Sequence, residues 1–278
     1  MTIKSLVPNI LKVSLRNTHD LILDAVSLLP FTRGMFVPPR HLQRLVGDGD
    51  FQHVGDGLLQ LLIEYTSLKP SESILDVGCG IGRVAAPLTR YLSPQGSYHG
   101  FDIMPRTIKW CQQKITPKYP NFRFQLADIR SVHYNPRGRY NAAEYHFPYA
   151  ANTFDVVFLT SVFTHLLPDD VQHYLLEIAR VLKPGGRCMA TAFLLNDVAL
   201  RSIEEGHAIF TLQHIVPGGR ISDSEDPEAV VAHEEASFLE ACRNSGLRIS
   251  TLHRGSWSGD RSRAQGHDFI VMRKLPVV

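Results

Sequence analysis

The stretch Ile74-Leu-Asp-Val-Gly-Cys-Gly-Ile-Gly-Arg83 decides the fold. Ile74, Leu75 and Val77 read as a buried strand, and the glycines at 78, 80 and 82 turn the chain from it into a helix. Glycine accepts positive φ and lets backbone come close to a ligand, while the free N–H groups of a helix start point at whatever is bound. The ligand's chemistry follows from the flanking residues. A dinucleotide fingerprint needs a third small residue three positions after its second glycine, so that helix and strand pack closely. Arg83 stands there instead. Asp76, at the strand end, would repel a pyrophosphate and attract a cation. An NAD-dependent enzyme is therefore disfavoured, and a cationic ligand without phosphate is favoured.

On these residues Asp-Val-Gly-Cys-Gly-Ile-Gly-Arg resembles motif I of the class I S-adenosylmethionine-dependent methyltransferases, bacterial small-molecule type. Their methyl donor carries a sulfonium and an ammonium and no phosphate. Four further pieces follow in the family's order: Ser97-Tyr-His-Gly-Phe-Asp-Ile103, Asn121 to Ile129, Phe154 to Thr160 leading into Ser161-Val-Phe-Thr-His-Leu166, and Ala179 to Arg187 before an apolar run to Leu195. The resemblance spans residues 70 to 195 and implies S-adenosylmethionine as cofactor, held by Asp76, Gly78, Cys79, Gly80, Gly82, Arg83, Asp102, Ile103, Asp128, Ile129 and Ser161. Asp102 would accept hydrogen bonds from the ribose diol, although NAD enzymes place an acid similarly. The resemblance puts Asp128 by the adenine amino group and Ile129 against its ring.

Methyl transfer is an in-line displacement, so positioning carries much of the catalysis. A hydroxyl acceptor must also lose a proton, most often to a histidine within hydrogen-bond reach. His165, just beyond the fourth strand, is the candidate base or substrate orienter; the competing reading is a helix-start histidine satisfied by backbone or by Asp169 and Asp170. Tyr145, His146, His233 and Trp257 are candidate substrate contacts, each set against a packing or surface role. Enzymes that methylate base amines carry Asn/Asp-Pro-Pro-aromatic after this strand, where this chain has Thr160-Ser-Val-Phe163. No compact acidic set suggests a divalent cation, so no metal is expected.

Lys plus Arg number 29 against 27 Asp plus Glu, a net charge of +2, which supplies no field for a polyanion; nucleic acid is not the expected partner. The four cysteines, at 79, 111, 188 and 242, form no C-x-x-C pair, which argues against a zinc site or disulfide framework and for a reducing compartment. Polar residues interrupt the N-terminal apolar positions, unlike a signal peptide, and no run approaches the roughly 18 apolar residues of a membrane span. The expectation is a cytoplasmic protein without membrane association.

Residues 1–52 read as an N-terminal helical arm, with Ile10, Leu11, Leu15, Leu21, Ile22, Val26 and Leu29 at helical spacing, followed by an irregular cover; the arm could pack on the domain or build a homodimer. Residues 53–278 read as one domain. Strands 72–78, 97–103, 122–127, 154–160 and 186–195 alternate with helices 81–92, 105–116 and 168–182, and helix 234–245 precedes strands 247–254 and 267–273. Such alternation predicts an α/β, Rossmann-like, doubly wound and mostly parallel seven-stranded sheet. Pro87 is expected to bend the first of these helices. Residues 130–152, with Tyr134, Tyr140, Tyr145 and Tyr149, read as an insertion on the ligand side, and residues 196–233 as a lid-like insertion after the fifth strand. The reading that results is an enzyme methylating a small molecule, with a hydroxyl of a metabolite or sugar favoured. Its rival is a non-catalytic subunit that keeps the cofactor cradle or its fold and supports a partner protein.

Overall fold

The computed structural model describes residues 36–47, 49–260, 262–263 and 265–275, so the expected N-terminal helical arm and any dimer built through it lie outside the described residues. A seven-stranded sheet runs in the order β10-β11-β5-β4-β1-β2-β3. Its strands are β1 Ser73–Val77, β2 Ser97–Asp102, β3 Phe122–Leu126, β4 Phe154–Leu159, β5 Leu182–Ala192, β10 Leu247–His253 and β11 Asp268–Lys274. All pairings are parallel except those of β11 with β5 and β10. The doubly wound, mostly parallel sheet read from the sequence is the observed one.

Helices α1 Phe51–Thr66, α2 Ala85–Tyr91, α3 Pro105–Lys114, α4 Pro168–Val181, α5 Asp197–Glu204 and α6 Glu235–Asn244 supply the other layers. Local chemistry sets their starts. Asp50 caps α1 by accepting the His53 N–H at 2.7 Å, and prolines open α3 and α4 at positions whose N–H groups have no helical partner anyway. In α4, Asp169 and Asp170 lie in the first turn, beside the positive end of the helix dipole.

Because β1 lies in the sheet's interior with both faces covered, its side chains divide by alternation. Leu75 and Val77 join the core under α4, with Phe101, Val157, Leu159, Leu175 and Ile178. Ile74 joins the opposite core, with Tyr98, Ile108, Phe122, Val156 and Phe158. Asp76 shares the Ile74 face, and that parity decides what it can touch.

Three expectations need correction. The helix expected over 81–92 begins only at Ala85, so Pro87 lies in its first turn, where a proline needs no bend. The fifth strand starts at Leu182 rather than 186; the Pro184-Gly185-Gly186 run makes an irregular register against β4 between Phe154 and Val156. Past Ala192 the chain builds a second sheet, β6 Leu194–Leu195, β9 Val231–Glu234, β8 Gly219–Ile221 and β7 His214–Val216, where the sequence suggested a lid or loose loop. Its strands are two to four residues long, too short for a periodic signal.

Candidate active site

A cavity of about 490 Å³ opens at the carboxyl ends of β1, β2 and β4, where such sheets bind ligands. Its floor is the glycine turn. Gly78 and Gly80 hold φ of 73° and 53°; a Cβ on either would lie 2.5 Å and 2.6 Å from the side chains of Val162 and Val46. Asp102 closes β2 beneath this turn, its Oδ2 accepting the Gly80 N–H at 2.7 Å and its Oδ1 the Met104 N–H at 2.8 Å. Each oxygen has a further lone pair, so the buried carboxylate can still accept a diol. Ile103, Ile129 and Ser161 complete this end, Ser161 at a strained φ of 60° with its N–H on Thr191 Oγ1.

Another part of the wall is built by stretches of the chain far apart in sequence. His165 stands in a single 3-10 turn, Phe163–His165, just after β4. Its Nδ1 lies 2.9 Å from the Glu228 carbonyl oxygen and its Nε2 3.3 Å from the Tyr134 hydroxyl. Burial holds its pKa below the ordinary value, leaving the ring neutral at physiological pH. Leu166, Leu167, Val132, Ala142 and Tyr174 add apolar wall, and Leu45 and Val46 line the cavity too, Val46 against Gly80 of the glycine turn. Asp102, Asp170 and Glu228 face the cavity against one guanidinium, Arg130. That balance favours a cation over a pyrophosphate.

Of the residues expected to hold the cofactor, Gly78, Gly80, Asp102, Ile103, Ile129 and Ser161 line the cavity, as does His165. Asp76, Cys79, Gly82, Arg83 and Asp128 do not. Asp76 faces away from Val77 by strand alternation; its Oδ2 accepts the Tyr98 hydroxyl at 2.6 Å, and burial pushes its pKa to about 8. Cys79 is buried beside it. Gly82 is where the turn packs on α3, since a Cβ there would lie 3.2 Å from Cys111 Sγ and from Ile115. Arg83 donates to the Gly47 carbonyl at 2.9 Å and ties the cover to the turn. Asp128 is exposed and turned to the insertion, where it accepts the Arg139 N–H at 3.2 Å.

None of the four candidate substrate contacts lies on the wall of this cavity. Tyr145 packs in the core and its carbonyl faces His173 Nε2 at 2.9 Å. His146 points outward to Glu177 at 3.2 Å. His233 is buried, its pKa down to about 4, and its Nε2–H reaches the Phe163 carbonyl at 2.6 Å, which steadies the turn carrying His165. Trp257 is 1% exposed and donates to Asp268 Oδ2 at 2.8 Å. Trp257→Phe should cost roughly 1 to 2 kcal/mol of stability through that lost bond. Chemical denaturation checks it, and no loss of stability would mean the indole bond contributes nothing. Tyr134 and Glu228, which do line the site, carry no local signal beyond Tyr134's place in an aromatic insertion.

Residues 75–190 match the family model described as a methyltransferase domain. Residues 75–190 thus form a methyltransferase domain of the class I S-adenosylmethionine-dependent type. Over 170 residues the chain is 28% identical to the methyltransferase GfsG of Streptomyces halstedii, covering 58% of this chain and 54% of that protein. It is 35% identical over 127 residues to a demethylmenaquinone methyltransferase of Lactiplantibacillus plantarum, covering 45% and 47%. The chain thus spans about half the length of these curated relatives. The methyltransferase fold also matches the 1,6-didemethyltoxoflavin-N1-methyltransferase of Burkholderia thailandensis, solved with S-adenosylhomocysteine, at a TM-score of 0.52 and 15% identity over 94% of this chain and 89% of that one. The [4+2]-cyclase SpnF shares it too, at a TM-score of 0.55 and 18% identity over 83% and 86%.

The methyltransferase family's cofactor, S-adenosylmethionine, fits what stands here. Gly78 and Gly80 put bare backbone into the cradle where no Cβ would fit, Asp102 has lone pairs for a diol, and the wall is acidic. Asp76 Oδ1 is buried beneath the turn without a hydrogen-bond donor among the described residues, which together with burial disfavours the charged form and keeps this carboxyl mostly protonated at neutral pH. Its cost to the cofactor-free fold is measurable. A carboxyl whose folded pKa is raised from the ordinary 3.8 to about 8 lowers stability progressively as pH rises between those values. Asp76→Asn should therefore gain on the wild type in thermal midpoint from pH 5 to pH 8. A constant gap would mean that Asp76 does not titrate as its burial demands. No described helix is long and apolar enough to cross a membrane. Among the described residues no group of three or more His, Cys, Asp and Glu could hold a metal ion.

Proposed function

We propose that the protein transfers the methyl group of S-adenosylmethionine to a hydroxyl oxygen of a small, neutral acceptor such as a metabolite or sugar. The observation that carries this reading is that one cavity is lined by both the Asp102 cradle and His165. When bound, the cofactor supplies an electrophilic methyl on sulfur whose departure leaves a neutral thioether and needs no acid. The chain's own tasks are then positioning and removal of one proton. Gly78, Gly80 and Asp102 hold the donor, and Ile103 and Ile129 offer apolar contact to its adenine end. His165 Nε2 takes the acceptor's proton, with the neutral ring maintained by burial. Asp170 and Glu228 disfavour anionic acceptors, so phosphates and carboxylates are expected to be poor ones.

A small-molecule acceptor agrees with the demethylmenaquinone methyltransferase among the relatives and with the 1,6-didemethyltoxoflavin-N1-methyltransferase that shares the fold. The oxygen is argued from His165 rather than from either. A release assay for S-adenosylhomocysteine across phenols, sugars, amines and carboxylic acids tests the reading. Turnover confined to hydroxylated neutral acceptors supports it, and turnover confined to amines or acids contradicts it. The absence of turnover with any acceptor despite cofactor binding would favour the non-catalytic subunit.

A further inference from the structure

The hydrogen bonds around His165 determine which of its nitrogens carries the proton. The Glu228 carbonyl can only accept, so Nδ1, 2.9 Å away, must be the donor. In a neutral imidazole the other nitrogen is then an acceptor, and the Tyr134 hydroxyl, 3.3 Å from Nε2, donates to it. Both partners are themselves secured. The Glu228 carboxylate is hydrogen-bonded to Ser131 Oγ, and the same Ser131 Oγ accepts the Tyr134 N–H at 3.1 Å. One residue of the 130–152 insertion thereby holds both sides of the histidine in register. A neighbouring pair, His133 Nδ1 and Asp226 Oδ2 at 2.5 Å, closes the same seam between the two insertions.

We infer that Tyr134 and the Glu228 carbonyl form a clamp that fixes His165 as the Nδ1–H tautomer with its Nε2 lone pair turned to the cavity, and that Tyr134 occupies the position which an acceptor's hydroxyl takes during turnover. Tyr134 is thus a positioning residue acting through His165, and the ligand class that can replace it on Nε2 is an O–H donor. The functional half of this inference rests on the reading of His165 as the base; the tautomer does not. Groups facing the ring are the His133 imidazole, stacked at 6.0 Å, the Glu228 carboxylate, and His267, whose charge would oppose that of His165. None of them offers a competing hydrogen bond to Nε2 among the described residues, so the tyrosine is its donor.

The test is ¹⁵N NMR of the full chain labelled at histidine, with no ligand added. His165 of the wild type is expected to show a protonated Nδ1 and an unprotonated Nε2 at neutral pH; a proton on Nε2 would overturn the clamp, and this readout needs no variant. In Tyr134→Phe the tautomer should persist, while the His165 pKa rises by roughly half a unit to one unit, because a donor to Nε2 stabilises only the neutral ring. The acid limb of the pH–rate profile, followed with an accepting hydroxyl compound from the panel, should move upward with it. An unchanged pKa in a folded Tyr134→Phe protein would remove Tyr134 from the clamp. Unchanged turnover in His165→Gln, with the Nδ1–H tautomer intact in the wild type, would instead sink the base assignment, and with it the role given to Tyr134.

Discussion

Replacing His165 with alanine is expected to lower turnover about 10²- to 10⁴-fold, the range of a lost general base. The dissociation constant of S-adenosylmethionine should scarcely move, because the hydrogen bonds of His165 run to Glu228 and Tyr134, whereas Asp102 holds the glycine turn. The variant also loses the bond from Nδ1 to the Glu228 carbonyl, so its thermal midpoint must be recorded beside its kinetics. His165→Gln, which keeps a polar side chain in that space, should be nearly as slow. A histidine that merely filled space would give the opposite pattern: a lower midpoint and near-normal turnover. The acid limb of the wild-type profile has a defined sign as well. Burial lowers the pKa of His165, so activity should rise as pH increases through a value below the ordinary 6.5 and stay high above it.

Asp102→Ala is expected to weaken S-adenosylmethionine binding by about 1 to 3 kcal/mol, roughly 5-fold to 150-fold. Two effects combine. A charge-assisted acceptor for the diol is lost, and the Gly80 and Met104 N–H groups lose the carboxylate that organises the turn. Asp102→Asn separates them, since an amide oxygen can still accept one N–H while the charge is gone. Calorimetric titration of both variants measures the difference. An unchanged dissociation constant in Asp102→Ala would show that the carboxylate contributes only to the fold.

The sequence revealed the sheet because its information is local. Ile74 to Val77 is an unbroken buried strand, the glycine turn follows at once, and the Val171, Tyr174, Leu175 and Ile178 spacing marks α4 within a residue of its observed end. The cavity-lining glycines and Asp102 were legible for the same reason. What was not legible depends on tertiary contact. Asp76 was read as a cavity group, but strand parity turns it toward Tyr98 on the other face. His233 and Trp257 look like ligand contacts in a polar or glycine-rich stretch, yet both are buried by the second sheet and the loop that joins it, and their polar atoms are satisfied internally. Nothing within a few residues of Tyr134 or Glu228 announces that the two insertions meet over His165.

The central claim is that the cavity beyond β1 is electrostatically made for a cationic methyl donor and not for a dinucleotide. Titration calorimetry of the full chain with S-adenosylmethionine and, separately, with NAD addresses it directly. Saturable one-to-one binding of S-adenosylmethionine, weakened in Asp102→Ala, is expected, with no heat attributable to NAD. Binding of NAD with no binding of S-adenosylmethionine would contradict it.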